Sequence, residues 1–251
     1  VFVVVKKVQE RKIAIFTALL TMLSSELWGH STFAYSNLPY TAYYVSSLLI
    51  LIFSSQKNYP HYVLLSAILM GLSTWVRSAE PFWIIWIFLL LVTAIYYKKF
   101  IHIFIPLISF FLIRTEWIVF QSHVLDQLAA NNSSLTEKLL SPKIIDTLRN
   151  NYLSLYNYFL YNIILPFGYN WLFLIGSLLL INLRKIRKQI PNYLLIVTVL
   201  ASTLMSMVGI IVFSTFFESW QEIGDSARRM MIFTTPFCLV LFISSKFRKK
   251  E

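Results

Sequence analysis

The chain has 251 residues, of which 57% are hydrophobic and 13% are charged, and its mean hydropathy is +0.66. Because a soluble domain carries about 25% charged residues, this composition excludes a surface built to face water and indicates an integral membrane protein. The net charge of +11 does not indicate a nucleic-acid partner, since the basic residues form short clusters between apolar runs, as cytoplasmic loops do. The single cysteine, Cys238, excludes an internal disulfide.

The first residues of the chain read VFVVV and are followed at once by Lys6 and Lys7. This order is typical of the end of a transmembrane helix that meets its cytoplasmic anchor, and no initiator methionine is present. We therefore expect a preceding helix and a first outer loop upstream of Val1.

Eight apolar runs then predict transmembrane helices, against a nominal length of about 20 residues for a full crossing. They occur at about 13–29, 39–55, 61–76, 82–97, 100–121, 168–183, 192–217 and 231–245. The predicted fold class is all-α: a polytopic integral membrane helical bundle of about eight transmembrane helices, forming a single transmembrane domain over 1–251.

The charges of the connecting segments predict the topology of these spans. Basic residues precede the first span and follow every even one, at Lys6, Lys7, Arg11, Lys12, Lys57, Lys98, Lys99, Arg184, Lys185, Arg187, Lys188, Lys246, Arg248, Lys249 and Lys250. Of the eleven acidic residues, only Glu10 and Glu251 fall on that side. Because cytoplasmic loops are enriched in lysine and arginine, we expect both chain ends in the cytoplasm, in a bacterial inner membrane.

The segment 122–167 is predicted to be an extracytoplasmic loop within this domain. Its second half is amphipathic, with apolar residues at helical spacing at Leu153, Tyr156, Leu160, Ile163 and Ile164. This spacing predicts an amphipathic helix over 147–165 that lies in the outer membrane interface.

All seven tryptophans fall in the outer half of the predicted topology. One interpretation is a belt that anchors the protein at a single interface. The other is an aromatic-lined outer cavity for a lipid or a sugar, to which Trp75 and Trp220 would belong, because aromatic rings offer large apolar faces with a polar edge.

The segment that precedes the last span is rich in charge. Asp225 and Ser226 are suitable N-cap residues for a helix that contains Arg228 and Arg229, and such a helix start favours a phosphate. The alternative is that the arginines reach lipid headgroups or pair with Asp225 and Glu222.

A second charged site lies on the same side, where Arg77 and Glu80 precede Pro81 at the start of the next helix. A lone arginine at a span end is usually a lipid anchor. Because the arginine fork suits phosphate oxygens, joint binding of a phosphate by Arg77 and Arg228 is the functional alternative.

Glu26 and His30 are four residues apart, on one helical face near the outer end of the first span. This spacing suits half of a metal site or a proton relay, but a hydrogen-bonded pair is the favoured interpretation. No complete metal-ligand set is predicted, and a divalent metal cofactor stays an open alternative.

Three runs together resemble the polytopic GT-C glycosyltransferases, of the protein-mannosyltransferase and lipid A aminoarabinose-transferase type. They read GHSTFAYSNLPYTAYYVSSLLIL, ILMGLSTWVRSAEPFWI and WQEIGDSARRMMIFTTPFCLVLF. The features shared with that family are a "Leu-Pro" span, a "G-L-x-x-x-x-R" helix end and a late Gly-Asp-Ser-x-Arg segment. The resemblance covers most of the chain through weak motifs.

The resemblance implies transfer of a sugar from a polyprenyl-phosphate donor to a lipid, glycan or protein acceptor on the outer face of the bilayer. It also implies that Arg77, Arg228 and Arg229 hold the donor phosphate. Positive charge there would stabilise the charge that develops on the lipid phosphate leaving group.

An acceptor hydroxyl also needs a carboxylate base. The family's key acidic residue lies in the first outer loop, which we expect upstream of Val1, so Glu80, Glu222 and Asp225 are the weaker catalytic candidates within this chain. Many relatives carry an aspartate before the "Leu-Pro", where this chain has Asn37 in the predicted substrate cavity.

Two other functions are compatible with a polytopic chain of this kind: a lipid-linked oligosaccharide polymerase or ligase, and a non-enzymatic transporter or flippase. A polymerase is expected to have more spans and a longer outer loop. A transporter is expected to have charges near mid-span and an internal repeat, whereas the charges here cluster at one face.

Overall fold

The structure, a computed structural model, describes residues 11–22, 37–54, 60–76, 82–97, 101–125, 143–165, 168–180, 186–216 and 232–246. Every regular element in these ranges is helical, and none of them contains a strand. The helices are α1 (Arg11–Met22), α2 (Asn37–Ser54), α3 (Pro60–Val76), α4 (Trp83–Tyr97), α5 (Ile101–Leu125), α6 (Lys143–Phe159), α7 (Gly168–Leu180), α8 (Ile186–Phe216) and α9 (Thr235–Lys246). The all-α prediction is confirmed for this part of the chain.

Each of the eight apolar runs overlaps a described helix, although residues 23–29 of the first run lie outside the described residues, and α6 is the additional helix. Among the described helices, two are long and apolar enough to cross a membrane, through Ile103–Phe120 in α5 and Asn192–Gly209 in α8. The apolar stretches Leu38–Phe53, Pro60–Val76, Trp83–Tyr96 and Thr235–Ser244 are shorter. By length and composition, two crossings are therefore allowed, and the bundle of about eight spans stays a prediction.

The core forms where α2, α3 and α4 pack together and against α8 and α9. Its largest fully buried side chains include Trp86, Tyr40 and Tyr44. Polar bonds also join the helices, since Trp86 Nε1 donates to Ser66 Oγ over 2.7 Å, and Ser66 Oγ donates to the Ser47 carbonyl over 2.8 Å. Helices that are apolar on most sides can thus be held in one register by a few buried polar groups.

Helix α5 packs on α3 at Gly71, a residue without a side chain. A Cβ atom added to Gly71 would lie 2.8 Å from Ile113 Cγ2, so the two helices approach closely there. The opposite side of α5 is exposed and apolar, with Phe104 at 66%, Ile105 at 63% and Leu112 at 61% exposure. Such a continuous apolar surface on a helix is typical of contact with lipid or with a partner.

The helix predicted over 147–165 is present as α6, which begins at Lys143 and continues as a π-helical turn, Leu160–Ile164. Leu155 and Tyr158 are buried, whereas Leu153 and Tyr156 are each 60% exposed. Of the apolar residues that the sequence singled out, Leu153, Tyr156 and Ile164 therefore face away from the bundle, Leu160 is half-buried, and the side chain of Ile163 lies outside the described residues. Leu155 and Tyr158 instead fix this helix to its neighbours.

Candidate functional site at one end of the bundle

Five aromatic rings pack together at the end of the bundle where α2, α4 and α9 begin. We call this group the aromatic cluster; it consists of Tyr40, Tyr44, Phe82, Phe233 and Phe237. The Tyr40 and Phe233 ring centroids are 5.0 Å apart, and those of Phe82 and Phe233 are 5.3 Å apart. All five side chains are fully buried, and Tyr44 also shares a 2.8 Å hydrogen bond with Ser202 of α8. The start of each of these helices is thus held at one point.

The aromatic cluster limits where three charged or polar segments can lie, because each is joined to one of its rings by a short length of chain. Glu80 is two residues before Phe82 and Arg229 is four residues before Phe233. At a maximal extension of about 3.6 Å per residue, their Cα atoms lie within about 7 Å and about 14 Å of those anchors. Asn37 is the first residue of α2, three residues before Tyr40.

Most of the side chains that the sequence selected lie outside the described residues: Glu26, His30, Arg77, Glu80, Trp220, Glu222, Asp225, Arg228 and Arg229. The side chain of Asn37 also lies outside them. Trp75 is described, at the end of α3, and is 38% exposed. Within the described residues, the structure brings together the ends of the segments that carry these side chains.

A second group of side chains surrounds Arg114 of α5 at the same end. The guanidinium carbon of Arg114 lies 4.5 Å from the centroid of the Trp83 ring, at the first residue of α4. A guanidinium over an indole face at this distance is a cation–π contact, worth about 0.5–2 kcal/mol depending on solvation. Arg114 therefore fastens α5 to the start of α4, next to Phe82 of the aromatic cluster.

Trp75 and Trp117 continue this group on the side of α3. Their rings are stacked, with centroids 5.6 Å apart and an angle of 17° between the planes. Trp75 Nε1 donates a 2.8 Å hydrogen bond to the carbonyl of Ile113, which fixes the end of α3 against α5. The connection that contains Arg77 and Glu80 thus leaves α3 beside Trp75 and enters α4 beside Arg114.

Two buried donors in this group have no hydrogen-bond partner: Nη1 of Arg114 and Nε1 of Trp117. Neither group can accept a hydrogen bond, so only an acceptor atom could satisfy them. Chemically, this end of the bundle offers positive charge, unmet N–H donors and aromatic faces, which is an environment for an anion with an apolar or ring-shaped neighbour.

Within the described ranges, no group of three or more histidine, cysteine, aspartate or glutamate residues is placed to hold a metal ion. The half site of Glu26 and His30 lies outside those ranges.

Sequence reasoning did not select Arg114, Trp83 or Trp117 as site residues. The available signal was an arginine inside an otherwise apolar run, at position 114 of the run 100–121. An ionisable residue in such a run is a functional candidate by default, because it is costly there unless it is paired. The missing information was the tertiary contact, since Trp83 is 31 residues away and belongs to another helix.

No protein-family model, curated protein or solved structure matches this chain.

Proposed function

We propose that this chain is a membrane glycosyltransferase that moves a sugar from a polyprenyl-phosphate donor to an acceptor on the non-cytoplasmic face of the membrane. The observation that supports this proposal best is the convergence of Tyr40, Phe82 and Phe233, with ring centroids 5.0–6.4 Å apart. These rings anchor the segments that carry the candidate phosphate-binding arginines. The resemblance to the GT-C family gives the reaction class.

The chemistry of the reaction requires cations at the donor phosphate. When the bond between the sugar and the phosphate breaks, negative charge develops on the lipid phosphate that leaves. Arg77, Arg228 and Arg229 are assigned to that phosphate, because fixed positive charge stabilises the leaving group more than the ground state. Arg77 immediately follows Val76 at the end of α3. Its segment therefore starts beside the Trp75–Trp117 pair.

The acceptor hydroxyl must lose a proton as it attacks the anomeric carbon, which requires a general base. Glu80, Glu222 and Asp225 are the acidic candidates within this chain. Glu80 is favoured among them because of its short link to Phe82, within about 7 Å by chain length.

The test is sugar transfer by the protein expressed from its complete reading frame and reconstituted in lipid nanodiscs. Radiolabelled polyprenyl-phosphate sugar is the donor, and a lipid extract of the host supplies the acceptors. Arg77→Ala and Arg228→Ala are each expected to lower kcat/KM at least about 100-fold, the size expected when a group that stabilises transition-state charge is removed. The matched control is Arg149→Ala, which removes an exposed arginine from α6 and is expected to leave transfer unchanged.

If transfer survives both alanine substitutions, the assignment of the donor phosphate is wrong. If the wild-type protein transfers no sugar from any polyprenyl-phosphate donor, the reaction class itself is wrong.

One observation favours a second candidate function, a transporter or flippase of a lipid-linked anion. Arg114 lies inside the apolar window Ile103–Phe120, which places a positive charge within a stretch long enough to cross a membrane. Transport proteins carry such charges along their substrate pathways. In proteoliposomes, movement of a fluorescent polyprenyl phosphate between leaflets without any transfer product would favour this function over the first.

A further inference from the structure

Arg114 is a charged residue in an apolar part of α5. It is the twelfth residue of the window Ile103–Phe120, roughly 16 Å along the helix axis from Ile103 at 1.5 Å per residue. Its neighbours on the exposed side of α5, three and four residues away, include Phe111 and Ile118, at 43% and 46% exposure. An arginine in such surroundings needs a partner, because its charge is poorly solvated.

The described protein groups satisfy this need only in part. Trp83 covers one face of the guanidinium at 4.5 Å, but Nη1 is buried and has no hydrogen-bond partner. Within the ranges that the structure describes, no carboxylate forms an ion pair with Arg114. Glu116 is two residues further along α5 and exposed, and residues two apart do not share a helix face.

A second unmet donor lies one helical turn further along α5. Trp117 is three residues after Arg114, and residues three apart on a helix are neighbours on one face. Its Nε1 is also buried without a partner, although its ring is fixed by stacking on Trp75 at 5.6 Å. Two buried donors one helical turn apart therefore lack an acceptor, one of them cationic. Each such group is destabilising when it is left unmet.

We propose that Arg114 and Trp117 form an oxyanion subsite that binds a phosphate group. A phosphate offers several acceptor oxygens, which can take a hydrogen bond from Nη1 of Arg114 and another from Nε1 of Trp117, and its charge complements the guanidinium. The exposed apolar residues of α5 beside the subsite are suited to an acyl or prenyl chain attached to that phosphate. This subsite does not depend on the proposed sugar transfer and would hold for a chain that transfers no sugar.

The ligand has two sources, a lipid headgroup or free inorganic phosphate, and a binding experiment separates them. Dioleoyl phosphatidic acid and dioleoylglycerol differ only in the phosphate, so their dissociation constants are measured by native mass spectrometry on the whole protein in detergent. Wild type is expected to bind phosphatidic acid at least tenfold more tightly than dioleoylglycerol. Displacement of phosphatidic acid by millimolar inorganic phosphate would identify free phosphate as a ligand of the same subsite, and its absence would identify the lipid.

The variants test the two donors separately. Arg114→Gln is expected to weaken the binding of phosphatidic acid at least tenfold. Arg114→Lys is expected to weaken it less, because lysine keeps the positive charge but lacks the paired N–H donors of the guanidinium. Trp117→Phe keeps an aromatic ring that can stack on Trp75, removes the N–H together with part of the indole, and is expected to weaken binding about threefold. Arg149→Gln, on exposed α6, is the matched control and is expected to leave binding unchanged.

A folding defect in Arg114→Gln would be recognised by its circular dichroism spectrum, and in that case Trp117→Phe and Arg114→Lys decide the question. The proposal is overturned if Arg114→Gln folds and binds as wild type does. It is also overturned if neither Trp117→Phe nor Arg114→Lys weakens binding, or if Arg149→Gln weakens it as much as the Arg114 variants.

Discussion

Ser66 of α3 is the polar centre of the bundle, and its removal is a sharp test of the helix packing. Its hydroxyl accepts a 2.7 Å hydrogen bond from Trp86 Nε1 of α4 and donates one of 2.8 Å to the Ser47 carbonyl of α2. Ser47 Oγ donates in return to the Ser66 carbonyl over 2.7 Å. A Ser66→Ala substitution removes one oxygen atom and leaves almost no cavity, so its effect reports on these bonds.

Most of the expected loss in the free energy of unfolding comes from Trp86. Its side chain is fully buried, so loss of the Ser66 oxygen leaves Nε1 without an acceptor, which costs about 1–3 kcal/mol. Loss of the bond to Ser47 adds about 0.6 kcal/mol, the average for polar contacts between helices in a membrane protein. We therefore expect Ser66→Ala to lower the free energy of unfolding by roughly 1.5–3.5 kcal/mol.

The measurement is unfolding in mixed micelles with increasing dodecyl sulfate, followed by far-ultraviolet circular dichroism. In a Trp86→Phe background, Ser66→Ala leaves no indole N–H without an acceptor, so it should lower the free energy of unfolding by only about 1 kcal/mol or less. The double-mutant cycle of Ser66 and Trp86 should therefore show a coupling energy of at least about 1 kcal/mol. Ser109→Ala is the control, because the Ser109 hydroxyl bonds only to the Ile105 carbonyl of its own helix. Equal costs of Ser66→Ala in both backgrounds would refute this account.

Two glycines should respond differently to alanine. In Gly71→Ala the new Cβ would lie 2.8 Å from the Ile113 side chain, so α3 and α5 must separate and the free energy of unfolding should fall by about 1–3 kcal/mol. In Gly176→Ala the nearest atom of Phe242 is 3.3 Å away, and the gain in helix propensity of up to about 1 kcal/mol should make the change nearly neutral. The same micelle titration compares them, and equal losses would contradict the close approach at Gly71. Cys238 is fully buried, so a maleimide should label it only in molecules that have unfolded, and the labelling rate should equal the rate for a free thiol multiplied by roughly the unfolded fraction. Labelling of the folded protein at the rate of a free thiol would contradict the burial of Cys238.

The positions of the helices could be read from the sequence because each apolar run is bounded by charge, glycine or proline. Pro60 opens α3 where the sequence predicts a span from residue 61, and α9 begins four residues after its predicted start at 231. The helix expected to contain Arg228 and Arg229 is not α9, which begins at Thr235 after a turn at 232–234, and the two arginines lie outside the described residues. Hydrophobic periodicity is weaker information, as α6 demonstrates. Apolar residues occur on two of its faces, and the pattern alone does not tell that Leu155, and not Leu153, packs against the bundle.

The charge pattern predicts that alternate connections share one end of the bundle, and the described contacts bring the starts of three helices, α2, α4 and α9, together at one end. Phe82 and Phe233, which follow two of the predicted outer connections, lie together with Tyr40. At the opposite ends of their helices, Ser244 of α9 donates a 2.8 Å hydrogen bond to Asn192 of α8. These contacts give the relative directions of the helices, whereas the membrane face that each end meets depends on the positive-inside rule.

Arg114 could not be assigned a role from the sequence, because the meaning of a buried donor depends on whether an acceptor reaches it. Trp86 Nε1 and Trp117 Nε1 are the same chemical group, and both lie within apolar runs. The first meets Ser66 and stabilises the core, whereas the second meets no acceptor and lies one helical turn from an arginine with the same deficit. A donor whose partner is on another helix has a structural role. Two donors without partners, one helical turn apart and one of them charged, have the composition of a binding site for an anion. That distinction depends on contacts between residues far apart in the chain, and it is why Arg114 ranks beside Arg77 and Arg228 as a target for mutagenesis.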